Sequence, residues 1–241
     1  KSFLDYAFEI GADYIATGHY AKIINKDGRY YLSRAKDINK DQTYFLHEVS
    51  EKEFSKCLFP LENLTKSEVR DIALKNNLVT ANKKDSVGIC FVGEKNLKDF
   101  LSRFIEFKKG DIKDENDNII GQHQGSILYT QGQRQGLMIG GVKGKEELPW
   151  YVYKKDISKN EIYVCQGGDN KLLMNEGLYV EDINYINDIE YKYPIKCSVQ
   201  VRHQHTPVSC TVEKLSNEYK VIFEEPIRAI APGQSAAFYD K

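Results

Sequence analysis

The sequence predicts an α/β region followed by two β-rich regions, and three observations carry that prediction. Helical apolar spacing and strand-like runs alternate up to about position 107. From Gly110 onward, glycines and short strands replace helical periodicity. Beyond about position 175, turn signals recur at roughly 8- to 12-residue spacing, the pattern of a small closed or sandwich β domain. The division expected is 1–107, 108–172 and 173–241.

Taken in order, Phe3, Leu4, Ala7 and Phe8 stand at helical spacing with Gly11 as the stop. Tyr14-Ile15-Ala16-Thr17 reads as a strand ending at Gly18-His19-Tyr20, the kind of position where open α/β sheets bind ligands. Gly18 there can let a nucleotide lie against the backbone, or can be a plain turn glycine. Ala21 to Ile24 and Tyr30 to Ser33 read as a hairpin turning at Lys26-Asp27-Gly28. Lys40-Asp41-Gln42 leads into an apolar helical stretch that Asp41 can cap; Lys40 and Gln42 can reach RNA phosphate and base groups or can simply be solvated. Thr65 and Glu68 form a capping box before a helix over about 66–76. Leu97, Phe100, Leu101, Phe104 and Ile105 stand at helical spacing and close the first region.

In the second region, strands are expected at Ile119 to Gly121, Ser126 to Tyr129, Pro149 to Val152 and Glu161 to Cys165. Gln133 and Arg134, set between glycines, form a knuckle that can grip phosphate or a turn with solvated side chains. In the third region, strands are expected at Leu178 to Val180, Cys197 to Arg202, Ser209 to Glu213, Tyr219 to Phe223 and Ala236 to Tyr239. Arg202-His203-Gln204-His205 ends one of them with a donor-rich cluster whose polarity suits RNA. It has no evident third ligand for a metal.

The stretch KKDSVGICFVGE, Lys83 to Glu94, sets Cys90 between Gly88 and Gly93, which leave room for a large substrate. Lys83 and Lys84 can favour its thiolate. The same pattern also fits a small buried hydrophobe.

Composition sets the outer bounds. With 41% apolar and 29% charged residues over 241 positions, the chain reads as a soluble globular protein of one to three domains. No apolar run of about 18 residues is present, so no membrane association is expected. The N-terminus lacks the zones of a signal peptide. Five widely spaced cysteines without a CxxC pair argue against a disulfide framework or zinc site and for a reducing, cytoplasmic setting. A net charge of −1 advertises no global nucleic-acid field, although lysines and arginines cluster locally at 34–40, 83–84 and 108–113. The chain opens inside a helix without an initiating Met, so a fragment whose N-terminal part is missing is expected.

The Cys90 stretch, GHYAK, KDQTYFL, the capping-box helix, YTQGQRQGL and APGQSAAFY occur in this order, and with them the whole chain resembles the tRNA-specific 2-thiouridylases of the MnmA/TRMU type. The resemblance implies part of a PP-loop domain of adenine nucleotide alpha hydrolase-like fold, a small central domain and a C-terminal β-barrel. It implies ATP- and Mg2+-dependent adenylation of the C2 oxygen of a tRNA wobble uridine, followed by displacement of AMP by sulfur. Cys90 matches the persulfide-bearing cysteine, loaded by a cysteine desulfurase or sulfur-relay protein. Gly18 matches an ATP contact; Lys40, Asp41, Gln42, Arg202 and His203 match tRNA contacts, with His203 standing where relatives often carry tyrosine. The target would be a single-stranded base of an anticodon stem-loop, which costs little to splay out. The family's SGGxDS loop and its first catalytic cysteine do not occur in these residues. A tRNA-binding module without catalysis is therefore the alternative, and a small-molecule PP-loop enzyme a third reading.

Overall fold

A computed structural model describes residues 2–83, 97–142, 144–203 and 205–240. The elements in order are α1 (Ser2–Glu9), β1 (Ile15–Ala16), β2 (Lys22–Lys26), β3 (Arg29–Ser33), α2 (Glu51–Phe54), β4 (Cys57–Leu58), α3 (Lys66–Lys75), α4 (Leu97–Leu101), β5 (Gly110–Lys113), β6 (Ile119–His123), β7 (Trp150–Asp156), β8 (Glu161–Gln166), β9 (Met174–Val180), β10 (Ile195–Gln200), β11 (Val208–Lys214), β12 (Tyr219–Arg228) and β13 (Ala237–Tyr239). Among the described residues the α-helices thus end at Leu101 and strands dominate the rest, as the sequence predicts. The sheets are a parallel pair β1–β4, the hairpin β2–β3, a four-stranded sheet β6-β5-β8-β7 and a five-stranded sheet β13-β10-β11-β12-β9. The chain divides into two compact units, one of Lys1–Lys84, Tyr179–Ile222 and Ser235–Lys241, the other of Asp85–Leu178 and Phe223–Gln234.

In the first unit, the β2–β3 hairpin closes through Asp27 (φ 53°) and Gly28 (φ 81°), two consecutive left-handed residues that match the strands' twist. Ala21, Phe54 and Phe59 form its core, with Ile23, Tyr30, Leu32, Leu46, Val49 and Ile186 packed against them. Residues 184–188 are laced onto this α/β portion: Asn187 Nδ2 donates to the Tyr30 carbonyl at 2.8 Å, and Glu51 N–H donates to the Ile186 carbonyl at 2.8 Å. Thr65 caps α3 as predicted, accepting from Glu68 N–H, while the Glu68 carboxylate accepts from Thr65 N–H at 2.6 Å. The backbone bond from Thr65, with Lys36 2.9 Å away, holds the Glu68 carboxyl down at about 2. In β10 and β11, alternate residues Cys197, Val199, Cys210 and Val212 turn inward and are buried. The facing thiols of Cys197 and Cys210 lie 3.6 Å apart.

The second unit is built on Ile112, Tyr129, Leu137, Trp150, Val152, Ile162 and Val164, contributed by β5, β7, β8 and the loops between them. β5 pairs in parallel with β8 and antiparallel with β6. Buried polar side chains shape its turns. Asp114 accepts from the N–H groups of Asn116 and Asn118 and lies 3.1 Å from Lys145 Nζ. Burial pushes this carboxyl up, but bonds from Asn118, Asn116 and Lys145 outweigh it and hold it at about 2. His123 Nδ1 accepts from Gly125 N–H at 3.0 Å, so the proton sits on Nε2 and is donated to the Asn160 carbonyl. Burial lowers the pKa of this imidazole and keeps it neutral. Burial likewise pushes the Cys165 thiol up to about 11.

Three local expectations are corrected. Ser126 to Leu128 form a 3-10 turn rather than a strand, because Gly125 at φ 133° turns the chain and Asn160 Oδ1 takes the Ser126 N–H that a ladder would use. The helix expected through Ile105 ends at Leu101 and relaxes into turns. The stretch after Gln42 is a 3-10 helix of four residues, Thr43–Leu46, and its side-chain bond comes from Asp41, one residue before the N-cap.

Because the Asp114 carboxyl sits near 2 in the fold and at an ordinary 3.8 when unfolded, its stabilisation is complete above about pH 4 and is lost as pH falls toward 2. Asp114→Asn should cost about 1–3 kcal/mol at pH 7 and flatten the decline between pH 4 and 2. Urea unfolding followed by circular dichroism across that range checks both.

Candidate functional site

The residues singled out from the sequence converge, within the first unit, on the backbone around Asp41. The Asp41 carboxylate is buried and accepts from Ala35 N–H at 2.9 Å, from Thr43 N–H at 3.2 Å and from the Thr43 hydroxyl. Arg34 Nε lies 3.6 Å away. A buried carboxylate is tolerated only with such a set of donors. These bonds close residues 34–43 into a tight loop that delivers Lys40 to the surface and starts the 3-10 turn.

Gln42 joins this loop to the turn after β1. Its N–H donates to the Tyr20 carbonyl at 2.9 Å and its Oε1 accepts from Tyr20 N–H at 3.0 Å. Gly18 stands two residues before Tyr20, exposed, at the carboxyl end of β1. A Cβ at Gly18 would meet only Leu61 Cδ1, at 4.0 Å, so the backbone there is open to a ligand's approach. Beside it, Thr17 Oγ1 and His19 Nδ1 share a hydrogen bond of 2.9 Å, and burial lowers the His19 pKa so that the ring is neutral near pH 7.

Asp41 also reaches the other predicted cluster through its main chain. Its carbonyl accepts from His203 Nε2 at 3.3 Å. The neighbouring Arg202 carbonyl accepts from Gln200 Nε2 at 3.0 Å. The Tyr239 hydroxyl lies 3.0 Å from Gln200 Oε1 and 3.1 Å from Thr43 Oγ1, two acceptors for its single proton. The Arg34 guanidinium sits over the Tyr239 ring, 5.7 Å from its centroid. Tyr44 donates to the Ser235 carbonyl at 2.9 Å.

Lys40, Asp41, Gln42, Arg202 and His203 therefore share one frame, tied through Tyr20 to the Gly18 turn. Their parts differ: Asp41 turns its carboxylate inward, and Gln42 spends both its side-chain oxygen and its N–H on Tyr20. Thr43, Arg34, Gln200 and Tyr239 complete the frame and are not legible as site residues from the sequence. Cys90, with Lys84, lies outside the described residues. The Gln133 knuckle is occupied within its own turn, its Oε1 accepting from Thr130 N–H and its Nε2 donating to the Gln135 carbonyl. Arg134 instead lines a cavity of about 600 Å³ with Leu137, Met138, Leu148 and Trp150 in the second unit. Among the described residues, no group of three or more His, Cys, Asp or Glu could hold a metal ion, and no helix is long and apolar enough to cross a membrane.

Three family models match the chain in succession: a tRNA methyl transferase HUP domain over residues 1–94, a tRNA methyl transferase PRC-barrel domain over 98–166 and an aminomethyltransferase beta-barrel domain over 175–241. The chain is 48% identical over 240 residues to a tRNA-specific 2-thiouridylase MnmA of Pseudomonas fluorescens, covering all of this chain and 64% of that protein. A Buchnera aphidicola protein of the same name is 48% identical over 239 residues, 98% of this chain and 65% of its own length. A Legionella pneumophila one is 47% identical over 242 residues, 100% and 67%. The chain thus spans about two thirds of the length of these relatives. The matches agree with the α/β-then-β architecture.

Asp41→Ala would leave the Ala35 and Thr43 N–H groups and the Thr43 hydroxyl without their acceptor and the Arg34 guanidinium without its counter-charge. A loss of about 3 kcal/mol is expected, against about 1 kcal/mol for Tyr239→Phe, both read from denaturant unfolding.

Proposed function

The chain belongs to the tRNA-specific 2-thiouridylase MnmA family, and from that premise we propose that it forms part of a tRNA-uridine 2-sulfurtransferase. The reaction in this reading is ATP-dependent. The C2 oxygen of the wobble uridine is adenylated, which turns a poor leaving group into AMP, and a sulfur nucleophile then takes its place. Cys90 carries that sulfur as a persulfide received from a cysteine desulfurase or sulfur-relay protein. The terminal persulfide sulfur bonds to C2 as the C2–O bond to AMP breaks. Attack of a second thiol on Cys90 Sγ then breaks the S–S bond, leaving the thiocarbonyl on the base and a disulfide on the protein. The second thiol and the phosphate-gripping loop belong to the longer protein that the relatives exemplify.

One observation supports this assignment above the others: Gln42 and Asp41 bond on one side to the Tyr20 backbone beside Gly18 and on the other to His203. Residues read as nucleotide-facing and residues read as RNA-facing are held in one frame, as transfer between ATP and a tRNA base requires. The open backbone at Gly18 fits a nucleotide. ATP, when bound, supplies the adenylyl group; what this chain contributes there is a backbone surface, a neutral His19 and a rigid strand end. Mg2+ enters this reading with ATP, as the resemblance implies. The three-domain division at 107/108 and 172/173 and a cytoplasmic setting are part of the same proposal.

Two outcomes are expected. The chain should bind unmodified tRNA with an affinity that falls at least about tenfold between 50 and 200 mM salt, because neutralised phosphates release counterions. In a protein that also carries the upstream loop and first cysteine, Cys90→Ser should abolish thiolation while the tRNA dissociation constant stays within about twofold. Undiminished thiolation would remove Cys90 from the chemistry, and salt-insensitive or undetectable binding would remove the RNA.

A further inference from the structure

Phe45 is a large apolar side chain set where burial alone would not put it. It lies on the 3-10 turn Thr43–Leu46 between buried Tyr44 and half-buried Leu46, yet it is 57% exposed. Its backbone is fixed by the Asp41 bonds to Thr43 and by Phe45 N–H donating to the Gln42 carbonyl at 3.0 Å. The ring is therefore held outward by a rigid turn. The His203 ring stands beside it, centroids 4.5 Å apart and planes inclined by 40°. Tyr44 supports both, edge-on to Phe45 at 5.5 Å and 6.4 Å from His203, and is itself anchored by its bond to the Ser235 carbonyl. His203 cannot swing away without breaking its bond to the Asp41 carbonyl.

Cations stand on both segments that carry these rings. Arg202 precedes His203 and is close enough to Tyr44 to oppose the rise that burial imposes on its phenol. Lys40 is exposed on the loop that leads into the same turn. The Asp41 carboxylate is buried beneath the turn and committed to its donors, and Glu48, three residues after Phe45, is exposed. An exposed, rigid aromatic face with cations on the segments that carry it is an arrangement that binds an unstacked nucleobase and its phosphates.

We infer that Phe45 and His203 together form a stacking ledge for one nucleobase of the bound RNA, with Phe45 contributing the principal face. This deepens the tRNA reading and rests on it. The ledge is sequence-tolerant, since every base offers a π-face, so it holds the strand in place rather than selecting the base.

The test uses the 241-residue chain and an anticodon stem-loop RNA with 2-aminopurine replacing single loop bases in turn. The wild-type chain should quench the fluorescence at one loop position. Phe45→Ala should weaken binding by about tenfold to a hundredfold and abolish that quench, with the slope of log affinity against log salt unchanged, because stacking releases no counterions. Phe45→Tyr should restore both affinity and quench. Arg202→Ala should instead lower the salt slope by about one. Circular dichroism of Phe45→Ala should match wild type, as expected for an exposed ring. Wild-type affinity and quench in Phe45→Ala would overturn the ledge while leaving the RNA reading intact, and would mark the ring as a surface for some other partner. An absence of RNA binding by the wild-type chain would overturn the ledge and the tRNA reading together.

Discussion

A carboxylate removed from water is among the most demanding groups a fold can contain, and the first unit is arranged around one. Asp41 answers that demand with two backbone N–H donors, a hydroxyl and a nearby guanidinium. Because the donors sit at 35 and 43 and the counter-charge at 34, satisfying the anion closes the intervening chain and sets the direction of everything attached to it. The main-chain carbonyl of the same residue then meets His203, and the next residue clasps Tyr20 at both its N–H and its carbonyl. The turn that carries the Phe45 ring and the placing of Lys40 follow from this one electrostatic requirement, and the Tyr44 and His203 rings then flank Phe45.

The second unit repeats the device with different groups. Asp114 organises the β5–β6 turn, and Asn160, at φ 53°, organises the β7–β8 turn while its side chain takes the carbonyls of Lys108 and Lys109. His123, held neutral in one tautomer, fastens the Asn160 carbonyl to the Gly125 turn. In a small sheet with a modest core, such buried polar groups specify which turn the chain makes, since an unmade bond there costs more than a made one contributes.

What could be read from the sequence divides along the same line. Signals confined to a few neighbouring residues were legible: the Asp27-Gly28 hairpin, the Thr65–Glu68 capping box, and the strands β10 and β11 set off by their turn signals. The strand β5 escaped notice because Gly110-Asp-Ile-Lys carries one apolar residue, and its place between β6 and β8 comes from partners up to 50 residues away. Ser126 to Tyr129 misled because the decisive acceptor, Asn160, is 34 residues distant. The candidate residues stood out as alternatives in the sequence and took their roles from the resemblance, but the reason Asp41 matters was not legible, since its frame closes through Gln200, His203 and Tyr239. Phe45 was hidden inside an apolar run that looked helical; only a 3-10 turn separates its outward ring from the inward rings beside it.

The cysteines away from position 90 carry a consequence for selectivity. Burial holds the Cys165 and Cys57 thiols protonated, and Cys57 Sγ is further occupied with the Glu53 carbonyl. A protein proposed to shuttle a reactive sulfur is exposed to misdelivery, in which the atom lodges on a bystander and is withdrawn from turnover. Keeping these two bystanders in the non-nucleophilic form, and Cys197 and Cys210 buried, guards against that loss by kinetics alone, without requiring that they be absent from the sequence.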